Sequence, residues 1–545
     1  MYNEPSEHSG FTGVYSNFPY ADFLLGIPQT SNRTNPAEQM YHLSNTDVAG
    51  FIQDDWKVTR RLTLNIGLRW DFNPPYHERN GLSFHFDPTS GRVVVPSEES
   101  QRHVNPLFPA NLAPIVTARD AGLPGNLFYS YKKHFMPRFG FAFRPFADSR
   151  TVIRGGYGMY TDQITDAAWN NIVGGPYISD ETFTNAIVGG KPNFMFPLAF
   201  PDGFGATGVQ NFTANDPHLR SPVIQQWNVT VERELFDMGV RVSYIGTNSR
   251  HLIWTANLNQ PAPGMEPFRN DMRQFPAFRT VALRRNGGNH DYHSLHVVAE
   301  RKMKNGLYYQ FGWTWAKALT DVLSDGEPGS TPENSYARRM ERANADYIPR
   351  HRTVTNLNYE LPFGPGKPWL SAIRGVPKFI LGGWSLTAML MTDTGLYFNP
   401  VFSGYDVSNT NTIGGRPDRI ADGNLPKAER SVSMWFDPAA FRVPGDLDGD
   451  HRPDVAVGRF GNSSPNVLQG HGLFHLNAGL FKRFFISERV TAVLQGTFDN
   501  ALNHPGWGIP SNNISVPGEV GQIRSLRARG GGGPRNGMVA LRIEF

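Results

Sequence analysis

From Leu62 to Phe72 the chain alternates without a break. Leu62, Leu64, Ile66, Leu68, Trp70 and Phe72 are apolar, and Thr63, Asn65, Gly67, Arg69 and Asp71 lie between them. A period of two puts all six apolar side chains on one face of an extended strand, which helical periodicity does not do. Similar runs occupy about 48–58, 136–146, 150–160, 222–235, 240–247, 292–303, 307–317, 351–361, 382–394, 473–485, 489–500 and 537–545. Ten residues at ~3.3 Å each, tilted by ~40°, rise roughly 25 Å, the height of the apolar band crossed by membrane strands. The fold class expected is all-β.

The connections narrow this further. Tight turns join the runs in pairs, as at Thr59-Arg60-Arg61, Phe236-Asp237-Met238-Gly239 and Lys304-Asn305-Gly306. Between the pairs lie long polar segments near 73–134, 161–220, 248–291, 318–350, 395–472 and 501–536. A compact soluble domain rarely carries several structureless loops beyond ~15 residues. An antiparallel transmembrane β-barrel has short periplasmic turns and long extracellular loops as its normal form. In the last run Val539, Leu541, Ile543 and Phe545 share one face, and Ala540, Arg542 and Glu544 the other. With Phe545 placed in the periplasm, counting back puts every tight turn there and every long loop outside. The stretch from Pro362 to Phe379 becomes a longer periplasmic turn. Residues 1–47 read as extracellular loop or partial strand, and 48–545 as the barrel domain. Trp70, Phe72, Trp313 and Trp315 fall near outer strand ends, and Trp56, Trp384, Phe481, Phe484 and Phe485 near inner ends, where aromatic girdles sit.

Composition agrees. No stretch approaches the roughly 18 consecutive apolar residues of a membrane helix, and mean hydropathy is −0.40, as alternating strands would average. Gly 56 and Pro 42 of 545 residues suit many turns and loops. The absence of cysteine excludes disulfides, thiolate chemistry and Cys-ligated metals. A net charge of +4 gives no argument for nucleic acid. Met1-Tyr2-Asn3-Glu4-Pro5 has neither a basic nor an apolar leader segment, so the true start is expected upstream.

Several motifs recur in chain order: Ala21-Asp22-Phe23-Leu24-Leu25-Gly26-Ile27-Pro28, Phe51-Ile52-Gln53-Asp54-Asp55-Trp56-Lys57-Val58, Arg61 to Arg69, and Ser221-Pro222 with Gln225-Gln226-Trp227-Asn228. Ser243-Tyr244-Ile245-Gly246, Trp313-Thr314-Trp315-Ala316-Lys317-Ala318, Leu361-Pro362-Phe363-Gly364, Gly382-Gly383-Trp384 and Asn500-Ala501-Leu502-Asn503-His504-Pro505 follow. Together they resemble the barrel of TonB-dependent outer-membrane receptors, especially the Oar-like branch, over about residues 20 to 545. The resemblance implies a bacterial outer-membrane location and ligand uptake or surface binding powered through TonB. Receptors of this kind carry an N-terminal TonB box and plug, and none is recognisable here. About 13–14 strands are expected against the roughly 22 of the whole barrel, so the reading is a partial barrel, its C-terminal portion. The TonB complex would act through the missing N-terminal region. The barrel-assembly machinery would engage the strand ending at Phe545. Outer-membrane lipid and lipopolysaccharide are the expected surroundings, and the ligand is unknown. A surface adhesion or binding barrel with calcium-ordered loops, and a passive porin-like channel, are the alternatives.

Candidate chemistry is sparse. Asp446, Asp448, Asp450 and Asp454, with Gly449 allowing a tight turn, have the spacing of an oxygen cage for calcium or of a solvated acidic turn. Val457 stands where an EF-hand needs Glu, so that loop type is excluded. No cofactor is required, calcium being the one candidate. His290, His293 and His296 would lie on a strand, where 293 and 296 face opposite ways. No nucleophile elbow or His-Glu-x-x-His occurs, and an enzyme is not expected. Arg269, Arg273, Arg279, Arg284 and Arg285, with Arg524, Arg527, Arg529 and Arg535, gather in two outer loops, either to meet lipopolysaccharide phosphates or an anionic ligand, or simply for solubility.

Overall fold

In the computed structural model, all thirteen runs form one antiparallel meander. The strands are β1 (Val48–Lys57), β2 (Leu62–Phe72), β3 (His134–Phe143), β4 (Thr151–Thr161), β5 (Val223–Leu235), β6 (Met238–Asn257) and β7 (Val281–Lys304). They continue as β8 (Leu307–Thr320), β9 (His351–Glu360), β10 (Trp384–Asp393), β11 (Phe474–Phe485), β12 (Thr491–Asp499) and β13 (Asn536–Glu544). The structure describes residues 6–545 except 14, 17, 37–40, 107, 109, 149, 166–168, 170–171, 186, 189–190, 199, 201–205, 208–211, 277, 323–330, 488 and 528–531. The Met1–Pro5 stretch and Arg529 therefore lie outside the described residues. Each strand pairs with its chain neighbour, and β1 and β13 are the two edges; among the described residues neither has a further strand beyond it.

Hairpin chemistry explains the short turns. Asn305 and Gly306 both have positive φ, at 53° and 79°, and so do Phe236 and Asp237, at 50° and 61°. Two left-handed residues in succession make the turn whose twist matches the strands it joins.

Register carries one face across the wall. Leu62 stands opposite Phe143, Phe143 opposite Ile153, Ile153 opposite Val231, and Val231 opposite Val242. At the other edge Leu541 stands opposite Leu494, Leu494 opposite Lys482, and Lys482 opposite Trp384. The reverse face is largely polar and internally bonded. Thr230 donates to Ser243 at 2.9 Å, Asn356 to Gln310 at 3.2 Å, and Arg154 pairs with Glu232 at 3.4 Å. An apolar face meets lipid and a polar face lines a lumen. Trp56, Trp384 and Phe484 belong to the apolar face, as girdle residues should. Phe481 and Phe485 do not: Phe481 lies opposite Ser385 and Gln495, on the lumen side. In β1, Asp54 falls on the apolar face and Phe51 on the polar one, opposite Ile66 and Arg69.

The long loops depart most from the expectation of structureless segments. Those after β2, β4 and β6 share one core, in which Phe212 packs against Phe86 at 5.2 Å and Phe278 at 5.0 Å, and Trp169 against Phe128 at 5.0 Å. A second core joins the loops after β10 and β12 through Phe398, Phe402, Phe436, Phe441, Leu468 and Ile514. Burying each such phenylalanine contributes about 2–3 kcal/mol, enough to order backbone that has no long periodic run. Strands β6 and β7 feed the first core directly, because they run on past the membrane and carry Ile253, Val281 and Leu283 into it. Residues Ser6–Gly10 and Thr30–Pro36 form a small sheet with Ile178–Thr184, and Tyr41 is fully buried in the first core.

Candidate functional site

The wall and the outer layer together define the site: a polar lumen face beneath folded loops. Five neighbouring strands, β8 to β12, line a groove of about 520 Å³ on the lumen face with Tyr308, Asn356, Asn358, Thr387, Asn477, Thr497 and Asp499. Alternation turns all seven to the same side. Carboxamides and hydroxyls predominate, so this part of the wall offers hydrogen bonds with little formal charge. Gly479 keeps the groove open, since a Cβ there would lie 2.7 Å from the Thr387 hydroxyl.

Above the groove the loops are cross-tied by buried charge. The Arg416 guanidinium donates to both oxygens of Glu341, at 2.8 and 2.7 Å, and pairs with Glu333 at 3.0 Å. Glu341 is buried at 6% side-chain exposure, and Arg416 and Glu333 are nearly so, at 12% and 10%. The Arg416 backbone N–H also donates to Glu333 at 2.8 Å. Burial nevertheless outweighs the arginine and raises the Glu333 pKa above the usual carboxylate value. This cluster ties the loop after β8 to the loop after β10. A second tie joins Arg527 to Asp393 at 2.9 Å. In the first core, burial pushes the His85 pKa down to about 4, so that imidazole is neutral at neutral pH.

The acidic motif divides. Carboxylate oxygens of Asp446, Asp448 and Asp454 lie within 4.8 Å of one another, while Asp450 is not among them. Two oxygens bound to one calcium at 2.3–2.6 Å can stand up to about 5 Å apart, so the trio fits such an ion. Each carboxylate also closes a local turn: Asp446 accepts from Gly449 and His451, Asp454 from Leu447, and Asp448 from Asp450. Asp450 instead accepts from the Arg452 backbone at 2.8 Å. Only Asp446 is buried.

The histidine triplet is dispersed, as strand geometry requires. His293 meets the Tyr244 hydroxyl at 2.7 Å on the apolar face, and His296 meets Ser294 at 3.0 Å. The outer arginines are largely engaged. Arg269 pairs with Glu266 and Asp271, Arg524 with Glu519, and Arg273 and Arg285 stack on Phe268 and Trp254. Sequence reasoning missed the Arg416 cluster, because the arginine lies more than seventy residues from both glutamates and no motif links them. It also missed the lumen groove, although strand parity alone would have grouped the groove's polar residues.

A family model described as an outer membrane beta barrel domain matches residues 2–537. The TonB-dependent transporter Oar of Myxococcus xanthus is 36% identical over 62 residues, which are 11% of this chain and 6% of that protein. Among solved structures, a variant of the ferric enterobactin receptor PfeA from Pseudomonas aeruginosa is 9% identical with a TM-score of 0.42, covering 94% of this chain and 45% of that one. The siderophore receptor PiuA from Acinetobacter baumannii is 9% identical with a TM-score of 0.40, covering 95% and 44%. The chain thus spans less than half the length of these receptors.

Proposed function

The chain belongs to the outer membrane beta barrel domain family, and from that membership we propose that it forms wall and outer mouth of a TonB-dependent receptor that takes up a ligand across the bacterial outer membrane. The observation that carries the reading is the polar lumen face running under a folded outer layer. A lumen groove rich in carboxamides suits a polar ligand or a polar plug surface, and the loop cores give binding loops a fixed frame. The unpaired edges β1 and β13 support further strands completing the wall, since lipid does not tolerate open sheet edges. Energy would come from the TonB complex through a region preceding these strands. Phe545, 96% exposed at the end of β13, suits recognition by the barrel-assembly machinery. Lipopolysaccharide would surround the outer end of the wall. Catalysis has no part in this reading.

Uptake is tested in cells of the source bacterium with and without the gene, using labelled ferric siderophores, cobalamin, oligosaccharides and peptides. The expected result is one ligand class whose accumulation disappears both with the gene and with a protonophore. Accumulation that needs the gene but survives the protonophore would mean a passive porin. No accumulation difference, with loss of surface attachment, would mean an adhesion barrel.

The acidic trio favours calcium ordering of the loop after β10 in either case. At a dissociation constant of ~10⁻⁴ M, typical of extracellular sites, 1 mM calcium would stabilise the loop by about 1.4 kcal/mol. Proteolytic nicking within 395–472 should slow severalfold on adding calcium and no longer respond in Asp448→Asn. Calcium-independent nicking in the unaltered protein rejects the site.

A further inference from the structure

The connection from β9 to β10 differs from the other periplasmic turns, because it contains a helix, α1 (Gly375–Leu381). Two side chains of the apolar face hold that helix. Trp384 and Lys482 stand opposite each other on β10 and β11. The Trp384 indole N–H donates to the Ile380 carbonyl at 2.8 Å. The Lys482 ammonium donates to the same carbonyl at 3.2 Å and to that of Gly382. It also lies over the Trp384 ring at 5.1 Å and the Phe484 ring at 5.3 Å, and the residue is 3% exposed. A lysine on a lipid-facing surface is costly unless its charge is satisfied. Here the last carbonyls of α1 satisfy it, as cations do at helix C-termini. The helix therefore ends outside the wall, on the lipid side of the periplasmic rim.

The rest of the turn fits that place. Val376, Phe379 and Ile380 stand at positions i, i+3 and i+4, so they share one helix face. They are 70%, 49% and 59% exposed, and Trp369 nearby is 59% exposed. This exposed apolar surface continues the lipid-facing band through Trp384 and Phe484. Lys378 lies on the opposite face of the helix and Arg374 just before its first turn, and neither has a carboxylate partner among the described residues. Apolar side chains on one face with a cation on the other are what an interfacial helix needs.

We propose that α1 is an interfacial anchor, lying in the inner leaflet of the outer membrane with Arg374 and Lys378 on the headgroup phosphates of anionic glycerophospholipid. The proposal rests on the orientation of the wall and not on transport. The chain has no cysteine, so Phe379→Cys or Val376→Cys gives a single attachment point for an environment-sensitive dye, with Leu447→Cys in the outer layer as the exposed reference. Both turn positions are on the surface, and heat-modifiable gel mobility verifies the fold of each labelled protein.

The full protein, with any cysteine outside this chain replaced by serine, is placed in phosphatidylethanolamine vesicles containing phosphatidylglycerol. Nitroxides on the upper acyl chain should quench positions 379 and 376 at least about twofold more than position 447, and aqueous iodide should do the reverse. Combining Arg374→Gln with Lys378→Gln should weaken nitroxide quenching in these vesicles and leave it unchanged in neutral phosphatidylcholine. Iodide quenching at 379 and 376 equal to that at 447 overturns the proposal. Shielding from both quenchers overturns it too, since a protein surface would then cover the helix. Quenching unaffected by the double substitution overturns the phosphate contacts.

Discussion

Arg416→Met should loosen the outer layer by about 3–5 kcal/mol, the usual cost of removing one member of a buried ion cluster. The substitution leaves Glu333 and Glu341 buried with no counter-charge, and it removes the donor that spans both oxygens of Glu341. The wall does not depend on this cluster, so the effect should be confined to the loops. Limited proteolysis would show earlier cleavage in 331–350 and 395–472, with heat-modifiable mobility unchanged. Replacing all three residues by apolar ones of similar size should recover most of the loss, because no charge then remains to desolvate. The deficit of the single variant should also shrink as pH falls. Burial already raises the Glu333 pKa, and without the arginine it rises further. A carboxyl whose folded pKa lies above its unfolded one binds its proton more tightly when folded, so acid favours the folded form. A deficit that grows on acidification would mean the two carboxylates are not what destabilises the variant.

The second large effect separates the two faces of the wall. Leu357 and Asn356 are neighbours in the middle of β9, with Leu357 opposite Tyr309 on the apolar face and Asn356 opposite Gln310 on the polar one. Leu357→Arg should cost about 2–4 kcal/mol near the bilayer midplane, whereas Asn356→Arg should change stability by less than ~1 kcal/mol. Denaturant unfolding from vesicles, followed by tryptophan emission, measures both. Equal costs, or the reverse order, would mean that the faces are assigned wrongly and that the groove of Tyr308 and Asn477 does not line a lumen.

The wall was legible because its physics is local. A strand with lipid on one side and water on the other must alternate, so the eleven residues from Leu62 to Phe72 declare themselves without reference to any partner. Each of the thirteen alternating runs became a wall strand. The outer layer was not legible, because its cores are assembled from short apolar pieces far apart in the chain. Val93, Val94 and Val95 are three residues without a period, and they acquire meaning only when residues such as Phe212 and Phe278 arrive beside them. The lengths of β6 and β7 were underestimated for the same reason, since beyond the membrane their alternation follows the loop core and not lipid. Lys482 and Phe481 show the limit of composition: a lysine on the lipid face reads as an error until α1 covers it. For the acidic motif, spacing in sequence grouped four carboxylates, but Asp450 turns away to its own backbone partner.

The continuity of β6 and β7 from Gly239 and Lys304 up to the first loop core has a mechanical consequence. The hairpin is a spar anchored at both ends and bent where its register slips near Leu252. That half of the mouth is a fixed jamb. Relative movement of the outer loops is then expected where those after β8 and β10 meet through side chains, at the Arg416 cluster and at the Asn466 amide on the Asn344 carbonyl.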